Sequence, residues 1–190
     1  QTIKEKNFFV FTGIENKAYN DSYHIFLFKK IFYRGIFYDR RILYKGFKYP
    51  EYINTNKIFG GCTFYKKEIF DKIRYRENSP LFINEDTDFS LILKKRFDKD
   101  FFIDTRLIFY HDSETKPFNT SNIKIESLFN KLNQNIISSK ILYRYHGEKF
   151  IDKLSLVWLN VGYLALMIYL IFKYRNLKYL NISLRSFFRF

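Results

Sequence analysis

At 190 residues the chain suits one domain with an appendage, and 47% hydrophobic against 27% charged residues excludes a compositionally disordered protein. A formal charge of +14 implies attraction to a polyanion, whether an anionic membrane, a nucleic acid or a phosphorylated substrate. The single cysteine, Cys62, excludes an intramolecular disulfide and a cysteine-based metal cage, so a reducing, cytosol-facing setting is expected.

The chain opens at Gln1 without Met and without a signal-peptide pattern, which is read as the mark of a fragment. Asn7 to Gly13 predicts a strand arriving from an element outside the chain. The region that follows, to Pro50, is rich in Phe, Tyr, Lys and Arg but has no clean period, and predicts loop with short helical pieces. Ile58 to Phe64 predicts a short buried strand broken by Gly60-Gly61, and Lys66 to Ile73 a short helix with Ile69, Phe70 and Ile73 inward. After a loop holding Pro80, residues 86–97 set Phe89, Ile92, Leu93 and Phe97 at helical spacing, with Lys94, Lys95 and Arg96 near the C-terminal end. Phe101 to Ile103 and Leu107 to Tyr110 predict two short strands, the second delivering His111 and Asp112 to a strand end. Residues 121–143 predict a second amphipathic helix on Ile125, Leu128, Phe129, Leu132, Ile136 and Ile137.

Leu154 to Phe172 is a run of 19 residues without a charge, about the length that crosses a bilayer core. A membrane helix is expected there, with a reentrant, interfacial or protein-buried helix left open. The tail beyond it carries Lys173, Arg175, Lys178, Arg185 and Arg189 and no acid, which makes it cytosolic by the positive-inside rule.

Glu85, Asp86 and Asp88 cluster where the helix predicted over residues 86–97 begins, and two readings compete there. The positive end of the helix dipole favours carboxylates at that place, so the acids could do no more than cap it. They also follow a glycine-pair strand at a distance that could bring both to one cleft, where a carboxylate could take a proton from an attacking hydroxyl.

Gly60-Gly61, then Phe64-Tyr65-Lys66, then Glu85-Asp86-Thr87-Asp88 opening a helix, then a strand ending in His111, together resemble the later half of the GT-A domain in family 2 glycosyltransferases. Ser139 to Gly147 (SKILYRYHG) resembles the segment that follows the catalytic domain in rhamnosyltransferase-like members. The resemblance spans roughly residues 58–150. It implies an α/β fold, the C-terminal portion of a Rossmann-like GT-A domain, followed by helices of which one is membrane-embedded. The implied organisation is residues 1–120 as the later half of the GT-A domain, 121–153 as an amphipathic helical extension, 154–172 as the membrane helix and 173–190 as a basic amphipathic tail.

The resemblance further implies sugar transfer with inversion from a nucleotide-sugar donor to a glycan or lipid-linked acceptor, as in cell-envelope polysaccharide synthesis. Asp86 would be the general base, with Glu85 shaping the acceptor site, and Gly60, Gly61 and Asp88 would line the substrate cleft, Asp88 as a helix-turn structural residue and not a catalyst. His111 would sit near the diphosphate and a divalent metal, Mg²⁺ or Mn²⁺, expected for the intact protein. The family's metal-holding Asp-x-Asp and its nucleotide pocket would precede Gln1. Asp86-Thr87-Asp88 and Asp98-Lys99-Asp100 are poor substitutes, one at a helix start and the other in a turn. Expected partners are the donor, the acceptor and an anionic membrane surface, with no nucleic acid. The protein would be membrane-associated with its catalytic portion in the cytoplasm, although a single span would place residues 1–153 opposite the cytosolic tail. The competing readings are a non-catalytic membrane-associated relic and a basic, aromatic nucleic-acid-binding protein built on Phe26 to Tyr52.

Overall fold

The structure is a computed structural model that describes residues 9–15, 23–40, 50–58, 63–76, 84–99, 101–109 and 125–175. The chain divides into two compact units, one of residues 1–30, 39–79 and 84–112 and one of residues 31–38, 80–83 and 113–190.

The first unit is mixed α/β. Its strands are β1 (Val10–Glu15), β2 (Tyr52–Thr55), β3 (Thr63–Tyr65) and β4 (Phe101–Phe109). They form one four-stranded sheet in the order β2-β4-β1-β3, in which β1 and β4 are parallel and the two outer pairings antiparallel. Val10, Phe11 and Thr12 are all buried, as befits a central strand covered on both faces.

The two strands expected at 101–103 and 107–110 are one continuous strand. Thr12 pairs with Ile103 but Ile14 with Ile108, so β4 carries extra residues between these pairs and bulges. Asp104 lies in the bulge, 2% exposed, and accepts bonds from the Arg106 guanidinium at 2.9 Å and the Arg106 backbone N–H at 3.0 Å. That pairing offsets the desolvation of a buried carboxylate. Across the bulge, a Cβ on Gly13 would stand 2.5 Å from the Leu107 carbonyl oxygen, so only glycine allows the two backbones to approach.

The helix predicted at 86–97 is α2 (Glu85–Phe97), introduced after α1 (Tyr23–Phe32). Phe89 and Leu93 are fully buried and join Phe9, Val10, Ile58, Ile69 and Phe101 in the core of this unit, with Ile73 and Phe97 at its edge. Asp98 ends α2 in the left-handed conformation, its N–H donating to the Lys94 carbonyl at 2.9 Å. The helix expected over Lys66 to Ile73 is reduced to a 3-10 turn, Lys67–Ile69. Ile69 is buried as expected, but the tighter turn leaves Phe70 40% exposed. Ile58 belongs to no strand, and β2, which the sequence reading missed, precedes it.

The second unit contains α3 (Ile125–His146) and α4 (Phe150–Tyr174), joined by residues 147–149 and packed on each other. The 3-10 turn Gly35–Phe37 packs on both helices. Helix α3 buries Phe129, Leu132, Ile136 and Leu142, whereas Ile137, expected inward, is exposed. Helix α4 begins four residues before the expected Leu154, because Asp152 accepts the Lys149 backbone N–H at 3.1 Å and closes the first turn. Gly162 makes room for the ring of Phe32, which a Cβ would approach to 2.4 Å. The Trp158 indole N–H donates to the Ile31 carbonyl at 3.0 Å. Most of the basic tail, residues 176–190, lies outside the described residues.

Candidate active site

The start of α2 is unusual. Its N-cap residue, Asn84, is in the left-handed conformation (φ 74°, ψ 23°) and makes no side-chain cap bond. N-caps ordinarily adopt extended backbone and bond the N2 or N3 amide, so the helix opens without the usual closure. The Asp88 N–H donating to the Asn84 carbonyl at 3.0 Å makes the first helical bond. Glu85, Asp86 and Asp88 therefore sit in the first turn, where the macrodipole favours negative charge.

The three acids do different things. Asp88 is 3% exposed and takes the Arg76 Nε at 3.1 Å, so it ties α2 to the segment after the 3-10 turn. Asp86 is half-buried and Glu85 exposed. The backbone of Asp86 is fixed by Ser90, whose Oγ donates to the Asp86 carbonyl at 2.6 Å and accepts the Ile58 N–H at 3.0 Å. Ser90 is fully buried, and this relay holds the first turn of α2 against the segment leaving β2.

A pair of phenols completes the cluster. The hydroxyls of Tyr65, on β3, and Tyr75 lie 3.1 Å apart. Phe89 supports both rings: Tyr75 stacks on it at 3.9 Å between centroids and Tyr65 meets it edge-on at 5.8 Å. Phe70 stands edge-on to Tyr65 at 5.2 Å, and Phe70 and Tyr75 are both partly exposed aromatics of this cluster. Burial pushes the Tyr65 phenol well above its ordinary value, with the Tyr75 hydroxyl and the negative charge of Asp86 adding to the shift. Tyr75 moves the same way, first through burial, against a lowering by its bond to Tyr65, and then through Asp86 and Glu85. The Asp86 charge thus bears on both phenols and that of Glu85 on Tyr75, and Tyr65 remains a proton-bearing group at neutral pH.

This shift has a sign that can be measured. Below the ordinary phenol value of about 10 neither state loses the proton, and Tyr65 leaves stability flat. As pH rises beyond it the unfolded chain releases a proton that the folded chain keeps, so stability falls. Tyr65→Phe is expected to flatten the decline of unfolding free energy above about pH 10 by up to one proton's worth of slope. Urea unfolding of wild type and variant at rising pH checks it, and parallel declines would sink it.

Among the described residues no group of three or more His, Cys, Asp and Glu side chains is placed to hold a metal ion. Asp98, one half of the second Asp-x-Asp match, is exposed and pairs with Lys94 at 3.6 Å. Gly60, Gly61 and His111 lie outside the described residues. Of the predicted site residues, Glu85, Asp86 and Asp88 come together on one turn. Tyr75 and Arg76 were missed, because they sit in an irregular segment where no period or motif marks them. Tyr65 was visible only as an aromatic in a motif. The chain matches no protein-family model, and no curated protein or solved structure shows significant similarity to it.

Proposed function

We propose that this chain carries the acceptor-side part of an inverting glycosyltransferase, which moves a sugar from a nucleotide-sugar donor to a glycan or lipid-linked acceptor. The observation that carries the proposal is the placement of Asp86. It sits at the dipole-favoured end of α2, its backbone held by Ser90, whose hydroxyl also takes the Ile58 N–H, and its negative charge bears on the paired phenols of Tyr65 and Tyr75. The order of elements, β3, a 3-10 turn, α2 opening on Glu85-Asp86 and then β4, supports the finer reading of the fold as the later half of a GT-A domain.

In the proposed reaction the acceptor hydroxyl gives its proton to the Asp86 carboxylate as its oxygen attacks the anomeric carbon. The nucleotide diphosphate departs with the electron pair of the broken bond. Tyr65 and Tyr75 hold the acceptor by hydrogen bonds, and Tyr75 and Phe70 offer an apolar face to a sugar ring. Glu85 shapes the acceptor site, while Asp88 acts by fixing α2 through Arg76. Gly60 and Gly61 are assigned to the cleft and His111 to the diphosphate side. Mg²⁺ or Mn²⁺ is proposed for the intact protein, with ligands outside the described residues, and the steps assigned to this chain do not run through it.

Helix α4 is long and apolar enough to cross a membrane by length and composition, and half of its most apolar stretch is buried. We assign the protein to a membrane surface with its catalytic portion in the cytoplasm, where an acceptor of cell-envelope polysaccharide synthesis would be presented. The test is sugar transfer or donor hydrolysis by the intact protein in membranes, with Mn²⁺ or Mg²⁺, across a panel of nucleotide sugars. Turnover with one donor is expected. Donor binding without turnover across the panel would favour the non-catalytic relic.

A further inference from the structure

We infer that α4 lies along the plane of an anionic membrane, with one face in a single leaflet, and does not cross it. The inference rests on the membrane association proposed above and is independent of sugar transfer. Phe150, Leu154, Val157, Val161, Ile168 and Phe172 are exposed along the length of α4, while its covered side holds Leu156, Leu159 and Met167 together with Asp152, Ser155 and Asn160. The polar surface of this unit is supplied by exposed residues of α3 and by Arg34, so α4 presents an apolar stripe as one face of an amphipathic unit.

What covers the other face argues against a span. The stretch from Tyr33 to Tyr38, a single 3-10 turn between extended residues, lies on α4, with Gly35 against Ser155 and Ile31 bonded to Trp158. In a helix running from Phe150 to Tyr174, Ser155 is seven residues from the midpoint, or about 10 Å at 1.5 Å per residue. A centred span would therefore carry this stretch, and the exposed Arg34 within it, inside the roughly 15 Å half-thickness of the hydrocarbon core. Irregular backbone does not occur exposed to lipid at that depth. Helix α3, packed on α4, adds exposed Asn130, Lys131 and Gln134, which also belong in water.

In the plane of the membrane these conflicts vanish. The stripe is buried in one leaflet, and α3 and residues 33–38 face the cytosol. Charge identifies the leaflet: Lys149, Lys153, Lys173 and Arg175 are exposed at the two ends of α4 against one exposed acid there, Glu148, while Asp152 is buried. These cations suit anionic headgroups. The arrangement also removes the topological conflict, because both ends of α4 stay on the cytosolic side.

Trp158 is the only tryptophan, is 46% exposed and borders the stripe, so it reports on depth without labelling. The full chain is mixed with phosphatidylcholine vesicles with and without phosphatidylglycerol, and with vesicles whose acyl chains are brominated near the headgroup or near the methyl end. Flotation with anionic vesicles is expected, with Trp158 quenched more by the shallow bromines. The same preference is expected for a tryptophan at the centre of the stripe, Val161→Trp in a Trp158→Phe background. Glutamine at Lys149, Lys153, Lys173 or Arg175 should each lower partitioning by about fivefold. Stronger quenching of the Val161→Trp variant by the deep bromines means a span and overturns the inference. Absence of flotation overturns membrane association itself, and concentration-dependent self-association would then show that a second copy covers the stripe. None of these readings depends on transferase activity.

Discussion

Asp86→Asn is expected to lower the turnover of sugar transfer by about 10²–10⁴-fold, the usual contribution of a positioned general base, while donor binding is retained. Asparagine keeps the shape of the side chain but cannot take the acceptor proton. Its loss of charge at the α2 N-terminus removes about 0.3–1 kcal/mol of dipole stabilisation, too little to unfold the chain. The backbone bond from Ser90 to the Asp86 carbonyl does not involve the side chain and survives the change. Asp88→Asn is the control on the same turn. It weakens the buried pairing with Arg76, so its effect should fall on stability, with turnover following only as far as α2 shifts. Transfer rates and donor affinity for both variants decide the matter. An Asp86→Asn protein with undiminished turnover returns Glu85 and Asp86 to a purely helix-stabilising role.

The parts of the fold that were legible in the sequence are those in which apolar spacing alone decides burial. Phe89, Leu93 and Phe97 recur at helical spacing, and α2 lies where they predict it, with Phe89 and Leu93 fully buried. The strand at β2 was not legible because Tyr52-Ile53-Asn54-Thr55 has a single aliphatic residue. Thr55 nevertheless is buried, its hydroxyl satisfied by the Lys57 backbone, and hydrogen bonding rather than hydropathy makes it a core position. The run Asp104-Thr105-Arg106 looks like a break between two strands, and β4 continues through it with Asp104 bonded to Arg106 and the Thr105 N–H to the Glu51 carbonyl. Helix α1 is obscured because YHIFLFKKIF runs into an aromatic and basic stretch of the same composition, so no change of pattern marks its end.

The same division holds at the candidate site. Glu85-Asp86-Thr87-Asp88 is a local cluster that a reader of the sequence meets whole. Its partners Tyr65, Tyr75 and Arg76 come from a strand and an irregular segment, and a helix residue, Phe89, sets their geometry. The sequence reading places Asp88 at the cleft as a helix-turn structural residue and keeps the chemistry for Asp86 and Glu85. Burial separates them, since a 3% exposed Asp88 bonded to Arg76 is committed to the scaffold while Glu85 and the half-buried Asp86 border the phenols.

Phe89→Ala is expected to have the largest effect on stability, about 3–5 kcal/mol, out of the roughly 5–15 kcal/mol that holds a domain of this size together. Phe89 is fully buried in the core of the first unit, and its ring contacts Tyr65, Phe70 and Tyr75 on the side of the candidate site. Truncation removes the transfer free energy of the ring and leaves a cavity that β1 and β4, hydrogen-bonded to each other, cannot readily close. Phe89→Leu separates packing from aromatic contact, because it refills much of the space and forfeits chiefly the stacking on Tyr75, about 0.5–1.5 kcal/mol. Urea unfolding followed by far-ultraviolet circular dichroism measures both, and a loss below about 1 kcal/mol for Phe89→Ala would contradict a core position. In the leucine variant the fold should persist while Tyr75 loses the face it rests on. If the paired hydroxyls orient an acceptor, that variant should lose transfer out of proportion to its small loss of stability, which ties the function of the cluster to the ring beneath it.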